Sequence, residues 1–112
     1  MPSGWDSSAM QQARFFPGEL VHHKLFDYRG VVVDVDPVYQ GTEEWYQQMA
    51  RSEPPRDQPW YHVLVHNAAH RTYVAERNLE TDDAGNPINH PHIELIFDSF
   101  EDGVYSKRSR PN

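Results

Sequence analysis

The chain has 112 residues, 38% of them apolar and 24% charged, with a net charge of −7 and no cysteine. That length fits one domain with a small core. The missing cysteines exclude disulfides, iron–sulfur clusters, thiolate zinc sites and cysteine nucleophiles, and the acidic excess repels a phosphate backbone overall.

The opening MPSGWDSSAMQQ lacks the basic and apolar regions of a secretory signal. Residues 1–13 therefore read as a disordered extension. No apolar run approaches the ~20 residues of a membrane span, so no membrane partner is expected, and a reducing cytoplasm fits. Pro17-Gly18 is a turn signal, and Leu20, Val21 and His22 begin a strand. Lys24–Gly30 is a bend carrying Phe26 and Tyr28. The strand Gly30–Asp36 follows, β-branched and bounded by Gly30 and Pro37. Simple alternation puts Val31, Val33 and Val35 on one face and Val32, Asp34 and Asp36 on the other. The first two strands should form an antiparallel pair.

Thr42–Ala50 is a helix, with Thr42 as N-cap and Glu43 and Glu44 in the first turn. Trp45 and Met49, four apart, should share its buried face. Arg51–Pro59 is Pro-rich and irregular. Residues 40–59 form a long excursion, which either carries function or covers one end of the fold. Trp60–Val65 is the second core strand and should neighbour the first. Arg71–Ala75 makes a hairpin with it. Glu76–Leu79 is a turn or single helical turn, and Thr81–Asn89 is a loop. Pro91 sits at a helix start, and Ile93, Ile96, Phe97 and Phe100 follow at helical spacing, predicting a short helix over 91–100. Residues 106–112 form a basic tail: residues 1–106 hold all 17 acids and 7 of the 10 cations, a charge of −10, and Lys107, Arg108 and Arg110 add +3. Val31, Val33, Val63, Val65 and Phe97 are the expected core.

No catalytic machinery is visible. His62 and His66, four apart on a strand, lie about 13 Å apart along it, too far to share an ion. His90 and His92 flank a proline, with only Glu94 near. The seven histidines read as surface or hydrogen-bonded core groups, and neither metal nor cofactor is expected. Asp34 and Asp36, about 7 Å apart along a strand, could do paired-carboxylate chemistry in a cleft. A turn cap before Pro37 for Asp36, and a rim position for Asp34, account for them better. No serine lies in a nucleophile elbow, and there is no phosphate-binding glycine loop. Trp45, Tyr46, Trp60, Tyr61, Tyr73 and Phe97 are residue types that stack on bases, but in so small a domain most must be core.

From Phe15 the chain reads F-x-P-G-E-L-V-H-H-K-L-F-D-Y-R-G-V-V-V-D-V-D-P-V-Y. T-E-E-W, D-Q-P-W-Y-H-V-L-V, T-Y-V-A-E-R-N-L, H-P and L-I-F follow in order. This series, over residues 14–105, resembles the bacterial heat-shock HspQ family, the YccV-like or hemimethylated-DNA-binding domain. The motif positions are Gly30, Asp34, Asp36, Pro37, Trp45, Pro59, Trp60, Tyr61, His62, Tyr73, Glu76, His90 and Pro91, with Lys24 matching the family's basic residue after the first strand. The resemblance implies a mainly β fold: a small SH3-like antiparallel β-barrel with one inserted short helix and a short C-terminal helix. It implies a cytoplasmic, non-enzymatic stress-response factor that promotes degradation of specific or denatured proteins by an ATP-dependent protease, or a module that binds hemimethylated DNA. The expected partners are that protease and its client proteins, with DNA the alternative. Because a two-to-three-turn helix and exposed strand edges both need cover, a homo-oligomer is also expected, against a monomer whose helix docks on its own sheet.

Overall fold

A computed structural model describes residues 13–50 and 52–108. The extension expected over residues 1–13 lies, but for Ala13, outside the described residues, as do positions 109–112 of the tail. The fold is mainly β. Strands β1 (Leu20–His23), β2 (Arg29–Asp36), β3 (Trp60–Val65), β4 (Arg71–Ala75) and β5 (Leu79–Thr81) form one sheet in the order β4-β3-β2-β1-β5. Every pairing is antiparallel. Strands β6 (Phe97–Glu101) and β7 (Val104–Lys107) form a separate hairpin.

One connection dictates the shape of the sheet. β4 and β5 are its two opposite edges, yet only the single 3-10 turn Glu76–Asn78 separates them in the chain. The sheet must therefore curl until its edges approach at that end. Its concave face closes over Phe15, Val21, Val32, Tyr61, Val63, Val74 and Leu79. No β4–β5 ladder is formed, so the expected barrel stays open.

The convex face has two covers. The β6–β7 hairpin and Ile88 lie over Leu20, Val31, Val33 and Leu64. The excursion, with helix α1 (Glu43–Met49), lies over Trp60 and Ala75. All five expected core residues are buried.

Three expectations are corrected. First, β2 carries a bulge between Val32 and Asp34. The extra residue reverses the alternation. Val35 turns to the concave side with Val32, while Val31 and Val33 serve the convex core. Asp36 lies opposite Trp60, and Asp34 opposite His62. Second, α1 buries Tyr46 and only half-buries Trp45, and Met49 is 60% exposed. Third, the C-terminal helix stops early. Helix α2 is only Ile93–Ile96, Pro91 lies in the turn before it, and residues 97–101 are strand β6. Ser106 and Lys107 end β7 rather than start a tail. With β5, these stretches add three strands to the four delineated in the sequence, giving seven among the described residues.

Thr42 caps α1 as expected: its Oγ1 accepts from Trp45 N–H at 3.1 Å. Replacing Thr42 with alanine should cost about 1 kcal/mol. Urea unfolding checks this, and an unchanged midpoint would show that tertiary packing alone holds α1.

Candidate protein-interaction site

The convex face around β3 and β4 gathers the motif residues Asp36, Trp45, Trp60, His62 and Tyr73. Trp60 is buried, and its indole N–H donates to the Pro55 carbonyl at 3.0 Å. Tyr39, Trp45 and Tyr73 pack around it, with ring centroids 4.9, 6.1 and 5.2 Å away. Beside them, Asp36 Oδ2 accepts from the Tyr73 hydroxyl at 2.7 Å and lies 3.1 Å from His62 Nε2. Burial, then the Asp36 bond, pushes the Tyr73 hydroxyl well above the ordinary phenol range. Asp36 thus holds β2 to β3 and β4 and does not cap the turn before Pro37. Asp34 is exposed and accepts from Val35 N–H at 2.9 Å, so the two carboxylates do not work as a pair.

The other motif positions lie apart. Tyr61 is buried on the concave side and donates to Glu76 at 2.6 Å. The same two groups accept the Arg14 N–H, at 3.0 and 2.9 Å, and so strap the incoming chain across the end of β4. Pro59 is buried, and its carbonyl accepts from Glu76 N–H. Gly30 lies against Val63 and Leu64. His90 is buried at the far end, with Nε2 3.1 Å from the His70 carbonyl, beside exposed Pro91. His62 and His66 share no partner, since His66 Nδ1 accepts from Asn89 N–H.

Along the free edge of β4 run two adjoining hollows, of about 330 and 460 Å³. Tyr73 and Val74 line both. One wall is His23 and Phe26, from β1 and the β1–β2 turn, and the other is Trp45 and Met49. Leu25, Phe26 and Met49 are 59, 70 and 60% exposed. No carboxylate lines either hollow, whereas His23, His62, His70 and Arg71 do. Of these residues the sequence named Trp45, His62 and Tyr73 as motif positions, expected Met49 on the buried face of its helix and placed Phe26 in a bend. Leu25 was missed, and the outward exposure of Phe26 and Met49 was not foreseen.

His23 sets the apolar wall. It is buried, and its Nδ1 accepts the N–H groups of Leu25 and Phe26, at 3.1 and 3.0 Å. The Phe26 ring stacks on it at 4.6 Å. Burial, and secondarily His22, holds its pKa below the ordinary histidine value. A proton on Nδ1 would confront two backbone donors. Between the lowered folded pKa and 6.5 the unfolded chain binds the proton and the folded chain does not, so His23 makes stability fall as pH falls through that window. His90, also lowered by burial, acts in the same sense. His22 acts oppositely, because its bonds to Asp27 and Glu80 raise its pKa. The difference between wild type and His23→Gln isolates His23. The urea midpoint of wild type should drop more from pH 7 to about 5.5, and equal drops would contradict the assignment.

Buried His23 thus holds two apolar side chains, Leu25 and Phe26, outward. A family model described as hemimethylated DNA-binding protein YccV-like matches residues 13–104. The chain belongs to the YccV-like family. In this YccV-like chain the match runs from the Arg14 strap to the first residue of β7, and so takes in the excursion and β6 but not the rest of β7. No helix among the described residues is long and apolar enough to cross a membrane.

Proposed function

We propose that this YccV-like chain is a non-enzymatic, cytoplasmic stress-response factor of the HspQ type. It acts by protein interaction and promotes the degradation of specific or denatured proteins by an ATP-dependent protease. The observation that carries this reading is the exposed apolar group Leu25, Phe26 and Met49 beside a carboxylate-free hollow, on a chain of net charge −7. Apolar patches on an acidic body suit polypeptide rather than phosphate. Four of the cations a DNA backbone would need are engaged within the chain. Arg29 pairs with Asp82 at 2.8 Å and Arg56 with Glu43 at 2.6 Å, while Arg77 and Arg108 donate to the carbonyls of Ser52 and Glu94.

The second reading, recognition of hemimethylated DNA, has the family description in its favour. Two measurements separate the readings: turnover of a denatured substrate by a purified cytosolic ATP-dependent protease, with and without this protein, and anisotropy of a labelled hemimethylated duplex. Faster turnover with weak, salt-insensitive DNA binding is expected. Sub-micromolar binding of the duplex at ~150 mM salt, lost on replacing Lys107, Arg108 and Arg110 with glutamine, would establish the DNA reading instead.

A further inference from the structure

We infer that the β4 edge captures its partner by strand addition: an extended segment of a client polypeptide, apolar at its centre and acidic at its flanks, pairs with Arg71–Ala75. This rests on the protein-interaction reading and specifies its mode. β4 is terminal in the sheet. Its inward bonds begin with the His70 carbonyl, which accepts from Val65 N–H, and end with Glu76 N–H, which donates to Pro59. Alternation then turns the N–H and C=O groups of Thr72 and Val74 toward β3. Those of Arg71, Tyr73 and Ala75 point outward, and they have no backbone partner among the described residues. A row of unpaired donors and acceptors is a template for another strand.

Native edges are usually blunted by charge, proline or a cover. This one is flanked instead by exposed apolar side chains on both sides. An added strand sends successive side chains to opposite faces. One set would enter the hollow walled by His23, Phe26 and Tyr28, and the other would meet Trp45 and Met49. Main-chain bonds would supply affinity and the two walls would supply preference. Charge selects the occupant. The lining holds the cation Arg71 and no carboxylate, its histidines adding hydrogen-bonding groups rather than fixed charge, and exposed Lys24 adjoins Leu25. Acidic flanks therefore fit and basic ones do not.

The probe is a fluorescein-labelled synthetic peptide of about ten residues, alternating leucine and threonine with two glutamates at each end. Its controls carry lysine ends, or proline at two adjacent central positions so that both edges of the strand lose a donor. Anisotropy with the full chain should show binding of the glutamate peptide. Both controls, and the protein variants Phe26→Asp and Met49→Asp at exposed sites, should bind about tenfold more weakly or worse. Arg71→Pro removes an outward N–H without touching the β3 ladder and should do the same. Phe26→Asp still decides the matter if Arg71→Pro fails to fold. Equal affinity for the proline peptide, or unchanged binding by Phe26→Asp, overturns the inference. Two further results also overturn it: self-association in sedimentation velocity that Phe26→Asp abolishes makes a second copy the occupant, and affinity that rises on removing residues 1–12 makes it the chain's own segment. Protease stimulation by the same variants keeps the two claims apart. Peptide capture without stimulation by wild type ends the adaptor reading alone, and stimulation retained in Phe26→Asp ends the cleft alone.

Discussion

Trp60→Ala is expected to lower the free energy of unfolding by about 3–5 kcal/mol, the range for deleting a buried aromatic. Trp60 is 1% exposed and sits where β3 begins. Its indole N–H ties down Pro55, and its ring carries Tyr39, Trp45 and Tyr73. Truncation would leave a cavity and also strand the Pro55 carbonyl. The consequence is larger than a void, because α1 has only seven residues and cannot persist undocked. Trp60→Phe keeps most of the ring contact and should cost markedly less. Chemical denaturation gives the two numbers, and amide exchange in α1 gives the mechanism. A loss below about 1 kcal/mol for Trp60→Ala, or unchanged protection in α1, would mean that the excursion is held elsewhere.

Because Met49 forms a wall of the proposed cleft, the same ring that stabilises the fold sets the spacing of the two walls. Loosening α1 should therefore reduce peptide capture before the sheet itself unfolds. Stability and recognition meet in one aromatic cluster.

The hairpins β1–β2 and β3–β4 were legible because their β-branched runs end at Gly, Pro or short polar turns. That β2 and β3 are neighbours was legible because no other strands matched them in strength. Thr42 was legible because an N-cap is a local device. The two main misreadings share one cause. A bulge at Val33 reverses the faces of β2, and a second bulge between Phe97 and Ser99 lets Phe97 and Phe100 serve the same core three residues apart. On a regular strand that spacing would alternate faces, so it imitated a helix. A correcting signal was present in Asp102-Gly103. Both residues have positive φ, 56° and 78°, as a tight primed hairpin turn demands, and Asp-Gly is its strongest sequence cue. The cleft was not legible at all. Its walls come from the β1–β2 turn, α1 and β4, and only tertiary folding puts Phe26 near Met49. The Arg14–Glu76 strap, across 62 positions, is of the same kind.

Gly30→Ala is expected to destabilise the fold by roughly 1–3 kcal/mol although it adds only one carbon, because the addition is overpacking. Gly30 is buried in β2, paired with Val21 of β1 on one side and Val65 of β3 on the other. A Cβ there would stand 2.5 Å from Val63 Cγ1 and 2.6 Å from the Leu64 carbonyl oxygen. A rotamer change could relieve the first contact, but the second is backbone in the middle of a ladder. The strands must part, and the displaced pair is the one that holds Asp36 against His62. The cost therefore arises from steric approach rather than from the backbone freedom usually credited to glycine. Gly85 is the control, with nothing within 4 Å of its added Cβ but a φ of +73°. Alanine there should cost only the strain of that conformation, about 1–2 kcal/mol, and should leave Asp36 in place. Denaturation midpoints with the perturbation of the His62 ring resonances distinguish the two. An unshifted midpoint for Gly30→Ala would show that β2 and β3 are less closely packed than these distances require.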